Sequence, residues 1–199
     1  MNKQLRIFLT GVGGQGTLTA TNLLAKTALL SGMPVIAGEI HGMAQRGGVV
    51  ESVLLLGGFR SPKLDYGEAD LILGFEPLET LRALPYLKEG GAVVSSANEL
   101  PPLSVSLGAG TYPPLATIQK EIQAVASTVC FLPTKTLGEE AGAVQSGNTV
   151  LLSAACIMGL LPFDSEVLER AIRTFLPEKI QASNCKAIEL TQKYLNENK

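Results

Sequence analysis

The fold is decided by the stretch RIFLTGVGGQGTLTATNLLAKTALL, residues 6–30. Its first five residues form a short apolar run that is typical of a buried strand, and the run stops at the glycine-rich turn GVGGQG, 11–16. From Thr17 to Leu30, apolar residues return at helical intervals. The stretch therefore predicts a strand, a tight turn and a helix, which is the order that opens many α/β domains.

Further strands and helices are expected to alternate along the chain. Pro34 followed by VIAGE, 35–39, indicates a second buried strand, which completes a predicted βαβ unit. The other predicted elements are strands at 51–57, 70–75, 91–96 and 128–134, a loop or weak edge strand at 100–114, and helices at 78–91, 117–127, 148–161, 164–176 and from Pro177 onward. We expect a single domain, 1–199, of the α/β class. It would be a three-layer, Rossmann-like, mostly parallel sheet with helices on both faces and a helical C-terminal region at about 147–199.

Composition excludes several classes of function. The chain has 199 residues and a formal net charge of -2, from 16 Lys and Arg against 18 Asp and Glu. Such a balance argues against nucleic acid or an anionic membrane as the partner. The three cysteines, Cys130, Cys156 and Cys185, lack the spacing of a zinc or iron–sulfur site, so we expect buried thiols and no metal. Neither a signal peptide nor a membrane span is apparent, which favours a cytoplasmic location.

The glycine turn has the spacing of a phosphate-binding motif. Gly11, Gly13 and Gly16 satisfy G-x-G-x-x-G between a predicted strand and a predicted helix. Missing side chains allow a ligand to approach the backbone, and the helix start attracts negative charge. Glu39 ends the second strand, where a dinucleotide-binding fold places its ribose-binding acid. An NAD(P) or flavin site is one hypothesis, and close packing of strand, turn and helix is another.

The run that begins at Glu39 suggests a different ligand or partner. EIHGMAQRGG, 39–48, brings together an imidazole, a carboxamide and a guanidinium between glycines that permit tight turns: His41, Gln45, Arg46, Gly42, Gly47 and Gly48. In an open parallel sheet this loop would share the carboxyl-end rim with the glycine turn. A lone histidine is more often structural than catalytic. Because no second histidine or nucleophile–base pair accompanies it, we do not expect a self-contained active site and assign no catalytic residue.

Four motifs resemble one family of subunits. GVGGQG at 11–16, EIHGMAQRGG at 39–48, GFEPLETLRALPYLKEGG at 74–91 and GNTVLLSAACIMGLLP at 147–162 are similar to the gamma-type subunit of the 2-oxoacid:ferredoxin oxidoreductases. Within that family, HGMAQRGG favours the beta subunit of the indolepyruvate branch. The tail NCKAIELTQKY, 184–194, departs from the family pattern.

The resemblance implies a division of labour between subunits. A larger alpha subunit would hold thiamine diphosphate and iron–sulfur clusters, decarboxylate an aryl 2-oxoacid, pass electrons to ferredoxin and yield an acyl-CoA. This chain would hold no cofactor alone and would complete the active site and the side where CoA enters. Arg46 would contact a phosphate or a partner carboxylate, while Gln15, His41 and Gln45 would make orienting hydrogen bonds. The full predicted rim is Gly11, Gly13, Gly14, Gln15, Gly16, Glu39, His41, Gln45, Arg46, Gly47 and Gly48.

Two other functions and one assembly question stay open at this point. The chain could act as a free-standing NAD(P)- or flavin-binding oxidoreductase, or as a nucleotide-binding scaffold module without activity. A homodimer of the isolated chain is also compatible with the sequence.

Overall fold

A six-stranded sheet forms the centre of the protein in the computed structural model, which describes residues 4–41, 48–101, 105 and 111–198. The strand order is β2-β3-β1-β4-β5-β6, with β1 Leu5–Val12, β2 Val35–His41, β3 Val49–Leu56, β4 Ala69–Gly74, β5 Leu87–Ser96 and β6 Thr128–Leu132. β4, β5 and β6 continue parallel to β1. β2 also runs in the direction of β1, because both pair antiparallel with β3. The predicted mostly parallel sheet is confirmed.

Helices cover both faces of this sheet and make the three predicted layers. One face packs against α1 Thr17–Leu30 and the C-terminal helices, and the other packs against α2 Pro77–Arg82 and α3 Leu115–Val125. Successive residues of β1 therefore enter different cores, and Ile7, Phe8 and Leu9 are all fully buried. Burial on both faces explains why β1 reads as a continuous apolar run. The bounds of α1 agree with the sequence prediction.

The predicted βαβ unit needs one correction, because an antiparallel strand lies inside it. β3 occupies the position between β1 and β2, and it pairs with β1 along its whole length from Val49 opposite Val12 to Leu56 opposite Leu5. Only residues 42–48 connect β2 to β3. A parallel crossover needs about a dozen residues or more, so this short connection forces β3 to return antiparallel.

The helix predicted at 78–91 is shorter than the pattern indicated. The α-helix ends at Arg82, a single 3-10 turn spans Leu84–Tyr86, and β5 begins at Leu87. Pro85 has no N–H for the helical ladder, which stops the helix at this point. The glycines at 90 and 91 therefore belong to β5, in a bulge that moves its pairing with β4 from Leu87 opposite Ala69 to Ala92 opposite Leu71.

The helical C-terminal region begins earlier than residue 147. Its helices are α4 Thr134–Ala141, α5 Gly147–Ile157, α6 Ser165–Phe175 and α7 Glu178–Glu197. The first of these carries Gly138, whose low helix propensity is overridden by packing against the start of α5. Much of the predicted loop at 100–114 lies outside the described residues. None of the described helices is both long and apolar enough to cross a membrane.

Candidate functional site

The glycine turn joins β1 to α1 and leaves no space for side chains at two of its positions. A Cβ at Gly11 would stand 2.9 Å from the Cβ of Phe75, which follows β4. Gly16 has φ +80°, a left-handed conformation that costs residues other than glycine free energy. A Cβ at Gly16 would also stand 2.7 Å from the Nδ2 of Asn148. Close packing and backbone conformation thus both require glycine, and the turn is held against β4 and α5.

The side chain of Gln15 fastens this turn to the sheet. Its Oε1 accepts a hydrogen bond from the Val12 N–H at 2.7 Å, and its Nε2 donates to the Phe75 main-chain oxygen at 3.0 Å. Both ends of the amide are engaged within the chain. Gln15 therefore holds the end of β1 beside the end of β4, and its orienting hydrogen bonds at the predicted rim stay a prediction.

Gly48, the last residue of the predicted rim, lies beside the glycine turn. The Gly13 N–H donates to the Gly48 main-chain oxygen at 2.8 Å, just before β3 begins. The backbone of His41 ends β2 opposite Glu51. Gln45, Arg46 and Gly47 lie outside the described residues, so their placement at the rim stays a prediction.

Glu39 lies away from the glycine turn. It is exposed on the edge strand β2, and it lines a shallow pocket of about 200 Å³ with Leu18, Thr21 and Asn22 of α1. β3 separates β2 from β1: Glu39 lies opposite Ser52, which lies opposite Leu9, so Glu39 is about 10 Å, or two strand spacings, from β1. A dinucleotide-binding fold needs its acidic strand directly beside the first strand. This strand order disfavours the NAD(P) hypothesis.

A cavity of about 400 Å³ lies where the carboxyl ends of the parallel strands meet, and we call it the carboxyl-edge cavity. The glycine turn contributes Gly14 and Gln15, and Phe75 and Leu151 supply apolar surface. Its other polar and charged lining residues are Ser96, Asn98, Glu99, Thr134, Lys135, Gln145 and Asn148. This is the position at which ligands bind in open α/β sheets.

Asn98 connects β5 to the start of α4 and keeps one donor group available. Its Oδ1 accepts hydrogen bonds from the Lys135 N–H at 2.8 Å and from the Thr134 hydroxyl at 3.2 Å. Its own N–H donates to the Ser96 hydroxyl at 3.0 Å, and that hydroxyl meets Thr134 at 2.7 Å. The amide oxygen is thus committed to capping α4. No described residue accepts from its NH₂ group, which leaves a donor on the cavity wall.

The electrostatics of the cavity favour an anion. The first residues of α4 and of α5 line it, and helix starts carry partial positive charge. Lys135 adds a positive charge and forms no ion pair with any described residue, but the acidic side chain of Glu99 lines the same cavity, so the preference for an anion comes from the two helix starts. Phosphate and carboxylate groups are the ligands that such an arrangement attracts.

One lip of the cavity is held in place by a buried carboxyl group. Glu76 is fully buried, and its Oε1 accepts hydrogen bonds from the Leu100 N–H at 3.3 Å and from the Tyr112 hydroxyl. Its Oε2 accepts from the Glu79 N–H at 2.9 Å and so caps α2. Glu76 therefore fixes both ends of the segment that follows β5.

Sequence patterns did not reveal most of these cavity residues. Asn98 lies two residues after β5 and Lys135 three residues after β6, and the only local signal for them is that each comes shortly after a strand. Asn148 opens α5, far along the chain from the turn that it contacts. Their convergence depends on strand order and helix packing, which no local window contains.

Known proteins resemble this chain in sequence and in fold. A profile of the pyruvate ferredoxin/flavodoxin oxidoreductase family matches residues 6–194. The indolepyruvate oxidoreductase subunit IorB of Thermococcus kodakarensis is 40% identical to the chain over 98% of both proteins. The gamma subunit of a keto/oxoacid ferredoxin oxidoreductase from Geobacter sulfurreducens superposes with a TM-score of 0.67 at 23% identity, covering 96% of this chain and 99% of that one. A second structure superposes with a TM-score of 0.71 at 18% identity. It is a 2-oxoglutarate:ferredoxin oxidoreductase from Magnetococcus marinus, solved with 2-oxoglutarate, coenzyme A and succinyl-CoA. That match covers 99% of this chain and 32% of the other.

Proposed function

The chain belongs to the pyruvate ferredoxin/flavodoxin oxidoreductase family, and we propose that it is the small subunit of a thiamine diphosphate-dependent 2-oxoacid:ferredoxin oxidoreductase. Its similarity to IorB, an indolepyruvate oxidoreductase subunit, supports an aryl 2-oxoacid such as indolepyruvate as the substrate. The reaction would be oxidative decarboxylation to an acyl-CoA, with ferredoxin as the electron acceptor.

We assign the cofactors to a larger alpha subunit. A four-cysteine cluster needs more thiolates than this chain contains, since its cysteines number three and two of them are buried. The small subunit would contribute binding surface and orientation to a reaction whose electron chemistry occurs on its partner.

The carboxyl-edge cavity is the observation that carries the proposed role. Helix starts, Lys135 and the Asn98 amide together suit the phosphate groups of CoA, and the apolar residues Leu100 and Val144 are exposed at the same cavity. We propose that CoA binds here by its phosphates, with the glycine turn as one wall. The loop at 39–48 would complete the rim, with Arg46 on a phosphate or a partner carboxylate and with His41 and Gln45 making orienting hydrogen bonds.

Kinetics of the reconstituted enzyme test this assignment. The chain is purified with the alpha subunit, and CoA- and 2-oxoacid-dependent reduction of an electron acceptor is measured without oxygen. Lys135→Ala and Arg46→Ala should each raise the KM for CoA by about tenfold, because each removes one charge-assisted contact. The KM for the 2-oxoacid should stay constant.

Lys120→Ala, which removes an exposed lysine on α3, is the matched control and should leave both constants unchanged. An unchanged KM for CoA in both test variants would reject the cavity as the CoA site. Absence of a complex with the alpha subunit, or of activity that depends on both chains, would reject the subunit role itself.

A further inference from the structure

A second cavity, which we call the helix cavity, lies between α1, α5 and α7. It has a volume of about 340 Å³, within the common range for ligand pockets of about 300–1,000 Å³. Gly14, Gln15, Gln145 and Asn148 line both this cavity and the carboxyl-edge cavity. The two spaces therefore share one wall, and the proposed reaction assigns no ligand to the helix cavity.

The helix cavity differs from its neighbour in charge. None of the described residues that line it is charged, whereas Lys135 and Glu99 line the carboxyl-edge cavity. Apolar side chains from three helices, and from Leu176 between α6 and α7, make much of its wall: Ala20, Leu23, Leu152, Leu176 and Ile180. An ionised ligand would lose its hydration without gaining a countercharge, so the cavity favours an uncharged molecule.

One buried polar group on this wall has hydrogen-bonding capacity left. Thr149 donates to the Oδ1 of Asn184 at 2.5 Å, and the Nδ2 of Asn184 donates to the Ile180 main-chain oxygen at 2.7 Å. The hydroxyl of Ser146 is buried and has no partner among the described residues. Buried hydroxyl groups in native proteins usually find a partner, and those that do not point to a ligand or an unseen water.

We propose that the helix cavity is a binding site for a small neutral aromatic molecule that carries one hydrogen-bonding edge. A rigid ring buries a large apolar area at a low cost in conformational entropy, and its polar edge would satisfy Ser146. This site goes beyond the proposed reaction.

Titration of the purified full-length chain with indole tests the proposal without the partner subunit. Calorimetry should show saturable binding, and indole protons should give nuclear Overhauser effects to methyl groups of Leu23, Leu152 and Ile180. Indole-3-acetate has the same ring with a negative charge and should bind at least about tenfold more weakly, because the wall offers no countercharge.

Variants on two different walls locate the site. Ala143→Phe and Ser183→Leu should each weaken indole binding by about tenfold or more, since their larger side chains occupy the cavity. Ala182→Phe places the same ring on the exposed side of α7 and should bind indole like the unchanged chain. Melting curves of all three variants report whether each is folded.

Three results would overturn the proposal: no saturable binding of indole, Overhauser effects to Leu100 and Val144 of the other cavity, or full binding by both wall variants. Loss of indole binding on addition of the alpha subunit would also overturn it, because the cavity would then be part of the subunit interface.

Discussion

The side-chain amide of Asn148 donates a hydrogen bond to the main-chain oxygen of Gln15, with 2.8 Å between Nδ2 and the oxygen. Its Nδ2 also lies 3.4 Å from the Gly16 oxygen. The start of α5 is thereby joined to the glycine turn after β1, although 133 positions separate the two residues. Gln15 and Asn148 line both cavities, so this contact lies in the wall that the two cavities share.

Replacing Gly16 by alanine should cost more stability than replacing Gly14. Both glycines have positive φ, which costs alanine about 1–2 kcal/mol, but a Cβ at Gly16 would also stand 2.7 Å from the Asn148 Nδ2. A Cβ at Gly14 meets nothing within 4 Å, so Gly14→Ala measures the backbone cost alone. Urea unfolding should show an additional loss of about 1 kcal/mol in Gly16→Ala.

The same pair of variants in an Asn148→Ala background checks the cause. Without the amide, the cost of Gly16→Ala should fall by about 1 kcal/mol, whereas the cost of Gly14→Ala should not change. An unchanged cost of Gly16→Ala would show that the Asn148 contact is not responsible.

Tyr112→Phe should destabilise the protein by about 1–2 kcal/mol at neutral pH, because the buried Glu76 carboxyl group loses a donor. Unfolding free energies from denaturant titration measure the loss. Tyr194→Phe is the control, since its hydroxyl bonds to none of the described residues. If the two variants lost equal free energy of unfolding, the hydrogen bond from Tyr112 to Glu76 would not be what stabilises the protein.

Alkaline pH provides a second test of Tyr112. Burial and the hydrogen bond to Glu76 raise the pKa of Tyr112 above its usual value of 10.0. A group whose pKa is raised on folding stabilises the protein below its unfolded pKa and loses that contribution as pH rises. Stability of the unchanged chain should therefore begin to fall above about pH 10, and Tyr112→Phe should show a shallower fall.

Glu79→Gln should change how stability depends on acid pH. Burial raises the pKa of the Glu79 carboxyl group, and Glu76 adds to the shift, whereas Arg82 at 2.7 Å opposes it. The unchanged chain should lose stability relative to Glu79→Gln as pH rises from about 4 toward 7, because the buried group then ionises. Glu121→Gln, on the exposed side of α3, is the control. Parallel pH profiles for the unchanged chain and Glu79→Gln would contradict this assignment.

The three thiols should react unequally with a disulfide reagent at pH 8. Burial raises the pKa of Cys130 and Cys185, and it raises the pKa of Cys156 to about 12, so little thiolate forms in the folded chain. Cys130 is only half-buried, which corrects the expectation of three buried thiols, and it should react first. Reaction of all three at one rate without denaturant would indicate an opened core.

Agreement between sequence and structure is best within single elements. α1 spans the predicted residues because its apolar spacing and the glycines before it are local signals. The helix predicted at 78–91 was wrong after Arg82, where Pro85 interrupts a pattern that looked continuous. Glu39 illustrates the limit for the site, since its position depends on the strand that lies between β1 and β2.

The sequence by itself determined the α/β class, the first strand with its glycine turn and helix, and the family to which the motifs belong. Each of these is encoded in runs of neighbouring residues, where backbone conformation and apolar spacing are local properties. Only the tertiary structure decided that β3 separates Glu39 from the turn and that Asn98, Lys135 and Asn148 meet at one cavity. Those positions follow from strand order and helix packing, which depend on contacts between residues far apart in the chain.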